Sequence, residues 1–258
     1  MTLSIIISAL GSNLNKINHW ISSEVLKKVN EVIIVVQNSE GYEKEINKLK
    51  NLGCKLIIDN KIGLSRSRNI GIKNSNSDYF WILDDDIYTD QDMINSIIGS
   101  IEKNTSDIYT FRIAKNKKGE LYKKYLNKRH INKFHILKVS SIEIVVSKKM
   151  IDKYSIFFNE KFGIGSQYPI CEESLFLLEC LNHGLKIIHI PKIIVIHEAL
   201  SARFKPIANN ALIAQGYLCK KIGIIGFALI IRWYFRMIIK YGKIFAIKYL
   251  IRGYRLKI

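Results

Sequence analysis

The sequence predicts an α/β domain, a mostly parallel sheet flanked by helices, followed by a C-terminal basic amphipathic helical tail. Three observations carry that reading. Runs rich in Ile and Val alternate with segments of helical length, as in chains that wind strand and helix in turn. Those runs are apolar throughout, the pattern of strands covered on both faces. All 22 acidic residues lie at or before Glu198, while 12 of the 40 Lys and Arg lie beyond it, so residues 1–198 carry +6 (28 cations against 22 carboxylates) and residues 199–258 carry +12.

The first strand is Leu3 to Leu10, preceded by neither a basic stretch nor a small-residue cleavage site, so a secretory signal is not expected. Residues 18–29 have helical length, and residues 32–36 form a second apolar run. Residues 42–52 form another helix, with Gly53 placed to take the left-handed conformation that ends it. Strands follow at residues 55–58 and 79–83, and ligands of such sheets bind beyond the carboxyl ends of the strands. Thr89 is expected to cap a helix whose apolar positions Met93, Ile94, Ile97, Ile98 and Ile101 repeat at helical spacing. Residues 108–113 and 142–146 are strands, joined by a connection, 115–133, with eight Lys or Arg against one Glu. That connection is either a solvated basic loop or an acceptor-side loop that meets phosphate. Residues 174–183 read as a helix ending before Gly184, and residues 186–190 and 192–197 as a strand pair around Pro191, ending at His197.

Two units are expected, a catalytic domain over 1–198 and a membrane-association segment over 199–258. In the latter, the uncharged run 222–231 is ten residues long between Lys221 and Arg232, half of the roughly 20 that a spanning helix needs. Beyond it Arg232, Arg236, Lys240, Lys243 and Lys248 interleave with Trp233, Phe235, Ile238, Ile239, Phe245, Ile247 and Leu250, the composition of helices that lie among anionic headgroups. Trp233, Phe235 and Phe245 are the expected inserting side chains. Cys54, Cys171, Cys180 and Cys219 form no CxxC pair, which excludes a zinc framework and suits a reducing compartment. The protein is therefore expected in the cytoplasm, peripheral on the inner face of the cytoplasmic membrane.

Three segments carry chemistry. The run 79–83 ends in Asp84, Asp85 and Asp86, whose mutual repulsion is relieved by a hard divalent cation. Upstream, Gly63-Leu64-Ser65-Arg66-Ser67-Arg68-Asn69-Ile70-Gly71 places two guanidinium groups and two hydroxyls where phosphate or ribose oxygens can be bound. Downstream, Phe162-Gly163-Ile164-Gly165 allows close backbone approach to a ligand, and Glu172 and Glu173 supply carboxylates for a general base.

In order and spacing these segments resemble the family 2 glycosyltransferases of the GT-A fold, over about residues 3–197. The stretch from Phe158 through Glu172-Glu173 to Pro191 and His197 is similar to bacterial members that build surface polysaccharides. The resemblance implies a nucleotide-binding sheet and an Asp-x-Asp pair, Asp84 and Asp86, with Asp86 the direct ligand of Mn²⁺ or Mg²⁺ and His197 joining the metal site. It implies that Glu173 is the base, beside Glu172, and that Ala9, Gln37, Arg68, Asn69, Asp84, Asp85, Gly163 and Gly165 border the donor. Where the family commonly ends its second strand with Asp-Asp-Gly-Ser, this chain has Gln37-Asn38-Ser39. Gln37 can still pair with uracil, since its amide both donates and accepts.

The implied reaction is an inverting transfer from a nucleotide diphosphate sugar, expected to be UDP-linked, to a hydroxyl of a glycan or a polyprenyl-diphosphate-linked acceptor, in capsule or O-antigen synthesis. Two rivals fit less of the chain. A nucleotidyltransferase calls for a glycine-rich cationic loop after the first strand, where this chain reads Ala9-Leu10-Gly11-Ser12-Asn13 with its first cation at Lys16. A nucleic-acid-binding protein accounts for the net charge of +18 but leaves the aspartates and the glutamate pair unexplained, so no nucleic-acid partner is expected.

Overall fold

A computed structural model describes residues 1–125, 127–198, 208–242 and 245–258; the expected boundary at Ala199 borders the stretch outside them. Seven strands, β1 (Leu3–Leu10), β2 (Glu31–Gln37), β3 (Lys55–Asp59), β4 (Tyr79–Asp84), β5 (Ile108–Ala114), β6 (Ile144–Ser147) and β7 (Ile187–Ile196), form one sheet in the order β3-β2-β1-β4-β6-β5-β7. Only β6 runs antiparallel to its neighbours, β4 and β5. Successive side chains leave opposite faces of a strand. Ile5, Ile7, Trp81 and Leu83 therefore enter one buried layer, and Ile6, Phe80 and Ile82 enter the other.

The helix expected over 18–29 is instead two short ones, α1 (Leu14–Asn18) and α2 (Ser23–Leu26). Trp20 and Ile21 between them turn inward and are buried, and the Ser22 hydroxyl restarts the helix by accepting from the Val25 N–H at 3.3 Å. Helices α3 (Glu43–Asn51), α4 (Leu64–Asn74) and α5 (Gln91–Lys103) follow their strands. The cap of α5 is Asp90, whose carboxylate accepts from the Met93 N–H at 2.9 Å, and not Thr89, whose hydroxyl donates to the Ile194 carbonyl. After α6 (Lys148–Tyr154), α7 (Glu172–Asn182) begins two residues earlier than expected, which places both glutamates in its first turn. The strand pair around Pro191 is a single strand. His189 faces Thr110 and Ile193 faces Arg112, so β7 advances four residues where β5 advances two. Pro191 sits in that bulge, where a missing N–H breaks no ladder bond.

The tail folds onto the domain as three helices, α8 (Asn209–Ile222), α9 (Ile225–Tyr241) and α10 (Ala246–Arg255). Ile213, Ala214 and Tyr217 of α8 pack against Phe162 and Tyr168. α8 and α10 meet through glycines: a Cβ on Gly216 would lie 2.0 Å from the Leu250 carbonyl oxygen, and one on Gly253 2.0 Å from that of Ile213. Trp233, expected to insert in a membrane, is half-buried against this layer instead. Among the described residues no helix is long and apolar enough to cross a membrane.

Candidate active site

The parallel strands deliver the expected residues to one edge. β1 ends beside Gln37, Gln37 beside Asp59, and Asp84 is level with Ser8. Of these, Ser8, Leu10, Gln37 and Asp84 border an open cleft of about 250 Å³ that also takes in Ala9, Asp85, Asp86, Gly63 and Ile164. The Ser8 hydroxyl is buried in this border without a hydrogen-bond partner among the described residues, a polar group that a ligand can satisfy.

His197 reaches the acidic turn because the end of β7 bridges Tyr88, with both backbone hydrogen bonds between Tyr88 and Ile196 formed, at 2.8 and 2.9 Å. Its Nε2 lies 3.4 Å from Asp86 Oδ2. That hydrogen bond holds the Asp86 carboxyl below its ordinary range and raises the His197 imidazole above its own. Asp85 turns the other way and accepts from the Leu10 N–H and the Asn13 amide, both at 3.1 Å, tying the turn to the end of β1; burial pushes its carboxyl up. Asp84 faces Arg68. Among the described residues no three His, Cys, Asp or Glu side chains converge closely enough to hold a metal ion; of the three expected ligands, Asp86 and His197 meet each other.

Arg68 was expected to border the donor at phosphate or ribose oxygens, and the structure places it inside the protein. It is 1% exposed; its Nη2 donates to Asp84 Oδ1 at 2.9 Å and to the Ser141 hydroxyl at 2.8 Å, its Nη1 lies 3.4 Å from Glu172 Oε1, and its Nε has no partner among the described residues. Asn69 is likewise internal: its amide donates to the Phe158 carbonyl and accepts from the Phe158 N–H, each at 2.9 Å. Both residues are framework. The Gln37 amide is also committed, donating to Asp59 at 3.0 Å and to the Lys61 carbonyl at 2.5 Å while accepting from the Gly63 N–H at 3.1 Å, so free pairing with uracil is not available to it in this arrangement.

One residue that the motifs did not single out completes this corner. Asp59, at the end of β3, receives Arg66 as a fork, Nε at 2.9 Å and Nη2 at 3.2 Å. The signal was present in the sequence as a carboxylate closing a strand just before a Gly-Arg segment. The second glycine segment zips onto the first, with the Leu64 N–H donating to the Ile164 carbonyl at 2.9 Å and the Ser65 hydroxyl to that of Phe162 at 2.6 Å. Gly163 and Gly165 have φ of +102° and +81°, and a Cβ on Gly165 would lie 2.7 Å from Ile62, so side chains are excluded there by conformation and by space.

The two glutamates divide. Glu172 is buried, and burial pushes its carboxyl up to about 7, with the neighbouring Glu173 adding and Arg68 opposing. Glu173 is half-exposed, and no hydrogen bond or ion pair among the described residues engages it. Cys171, left-handed at φ +79°, immediately precedes the pair. A non-glycine residue held there costs about 1–3 kcal/mol, strain of the kind that gathers at functional sites.

Comparison with known proteins agrees with this architecture. The crystal structure of S. aureus TarS 1-349 in complex with UDP aligns at a TM-score of 0.63 and 15% identity, covering 86% of this chain and 65% of that one. The same protein in complex with UDP-GlcNAc gives 0.62 and 16%, covering 86% and 66%. A mycobacterial protein gives 0.57 and 14%, covering 86% and 75%. This chain thus spans slightly under two thirds of the TarS 1-349 chain, and 39% of the chain in the crystal structure of S. aureus TarS. A search of curated protein sequences returned no significant match. The fold is GT-A, and the family description "Glycosyl transferase family 2" matches residues 4–163. With well over half of its length so matched, the chain belongs to glycosyl transferase family 2.

Proposed function

We propose that this glycosyltransferase moves a hexosyl or N-acetylhexosaminyl group, with inversion, from a UDP-sugar to a hydroxyl of a glycan or polyprenyl-diphosphate-linked acceptor in bacterial surface polysaccharide synthesis. One observation carries the reading: the Arg68 guanidinium spans from Asp84 to Glu172, so the acidic turn and the glutamate pair stand on one buried group. On this reading the donor diphosphate meets the acidic turn and the acceptor hydroxyl meets the glutamate pair. The UDP assignment draws on the TarS complexes, whose ligands are UDP and UDP-GlcNAc.

In this mechanism Glu173 takes the proton of the acceptor hydroxyl as that oxygen attacks the anomeric carbon and the bond to the diphosphate breaks. Glu172, held by Arg68, keeps the first turn of α7 in register. Asp86 and His197 would hold a Mn²⁺ or Mg²⁺ ion through a carboxylate oxygen and an imidazole nitrogen. Such an ion, when bound, would supply Lewis-acid neutralisation of the charge that builds on the departing diphosphate. The cationic tail keeps the enzyme on the inner face of the cytoplasmic membrane, beside a lipid-linked acceptor.

The test is a thermal-shift panel of UDP-, GDP- and CMP-sugars with and without Mn²⁺. A ligand at about 100 times its Kd adds roughly 2.7 kcal/mol, which at about 2–4 °C per kcal/mol raises Tm by roughly 5–11 °C. A Mn²⁺-dependent rise with a UDP-sugar supports the reading. Equal response to all three nucleotides, or none with any of them, contradicts it.

A further inference from the structure

We infer that the outward face of α9 is a bilayer-insertion surface selective for anionic lipid. The inference deepens the proposed membrane placement, on which it rests, by naming the element that enters the lipid. α9 is apolar on two opposite sides. Gly226, Ile230 and Met237 face inward, so closely that a Cβ on Gly226 would lie 1.8 Å from the Cys219 carbonyl oxygen of α8. Ile224, just before the helix, and then Phe227, Ile231, Phe235 and Ile239 recur every three or four residues on the other side, 46–90% exposed. A helix resting on a globular domain turns polar residues to water. This one turns a continuous apolar stripe outward.

Charge decides the occupant. Arg232 and Arg236 each follow a stripe residue by one position, about 100° round the helix, and so line its flank. Lys248, Arg252 and Arg255 are exposed on the neighbouring α10. No carboxylate lies beyond Glu198. A second copy docked on this stripe would set cations against cations, whereas an anionic bilayer receives both the apolar stripe and its charged flank. The 17 residues of α9 span about 25 Å, the proportions of a helix lying in the headgroup plane. Beneath it, α8 stacks Tyr217 on Phe162 with ring centroids 5.3 Å apart, so one helix layer separates the stripe from the glycine segment that borders the cleft.

The experiment is cosedimentation of the full chain with phosphatidylglycerol–phosphatidylcholine vesicles and with pure phosphatidylcholine vesicles. The triple variant Phe227→Ser/Ile231→Ser/Phe235→Ser, which alters exposed positions only, is expected to lose roughly tenfold or more in partitioning at unchanged Tm. Arg232→Gln/Arg236→Gln should lose most of the preference for the anionic vesicles. In a separate measurement, Ile231→Trp should be quenched by brominated lipid beyond the background of the three native tryptophans. Unaltered partitioning of the triple variant, equal binding to both vesicle types, or wild-type self-association that the triple variant abolishes without vesicle binding would each overturn the inference. Transfer to a water-soluble acceptor, assayed without vesicles, separates the two proposals. Vesicle binding that follows the stripe without any transfer leaves this inference standing and removes the catalytic one. Transfer by a wild-type protein that ignores vesicles does the reverse.

Discussion

Arg68→Met should destabilise the protein far more than it weakens donor binding. The substitution keeps an apolar stem of similar length but withdraws the guanidinium from Asp84, Glu172 and Ser141 in a site that is 1% exposed. Removing one partner of a buried ion pair costs about 3–5 kcal/mol, because the charge left behind is uncompensated. For a chain of 258 residues, at about 2–4 °C per kcal/mol, Tm should fall by roughly 6–20 °C. Adding Glu172→Gln removes the stranded carboxylate and should restore part of the loss, a coupling that a double-mutant cycle reads directly. The assay is thermal denaturation of the four proteins, with titration of a UDP-sugar into each. A Tm within about 2 °C of wild type together with a donor Kd at least tenfold weaker would refute the reasoning, since that is how a phosphate-binding arginine behaves.

Three further predictions follow from the same geometry. Gly165→Ala places a Cβ 2.7 Å from Ile62 on a backbone at φ +81°; it should cost about 1–3 kcal/mol in thermal melts and weaken donor binding, because Ile62 and Ile164 border the cleft. Glu143 is raised from 4.5 to about 7 by burial, against the opposing pull of Lys123 and Tyr125, so the folded protein keeps a proton that the unfolded chain has released. Its contribution is present below pH 4.5 and lost as pH rises through about 7, so Glu143→Gln should flatten the decline of Tm across that window, leaving the share that Glu172 contributes with the same sign. Asp86→Ala should abolish any Mn²⁺-dependent gain in Tm with donor while leaving the ligand-free melt near wild type, because the side chain lies at an open edge; an undiminished gain would remove Asp86 from the metal site.

The strands were legible because each is a continuous Ile- and Val-rich run, and both faces of this sheet are covered. Residues 18–29 have the length of one helix, but Trp20 and Ile21 turn into the core and break it, which length alone does not reveal. At the site, residue type located the acidic turn, the glutamate pair and His197, since few other arrangements place carboxylates at a strand end. Type alone did not reveal direction. An arginine between glycines reads as a phosphate ligand until its burial is known, and Arg68 is spent on Asp84, Glu172 and Ser141. Gln37 reads as a base-pairing amide until Asp59, distant in sequence and adjacent in the sheet, occupies it. In the tail, apolar residues occupy two opposite sides of α9, so periodicity could not tell that Trp233 packs inward while Phe227 and Ile239 face out.

The central claim is that Glu173, and not the buried Glu172, takes the acceptor proton. The most direct measurement is UDP release by Glu173→Gln and Glu172→Gln under saturating UDP-sugar and acceptor, with donor Kd determined calorimetrically for both. Glu173→Gln is expected to bind donor within about threefold of wild type and to lose at least about 10²-fold in kcat, the lower end of what general-base catalysis contributes. Glu172→Gln should retain measurable turnover, because its amide still fills the pocket beside Arg68. An active Glu173→Gln beside an inactive, folded Glu172→Gln would contradict the assignment and move the base into the buried carboxylate.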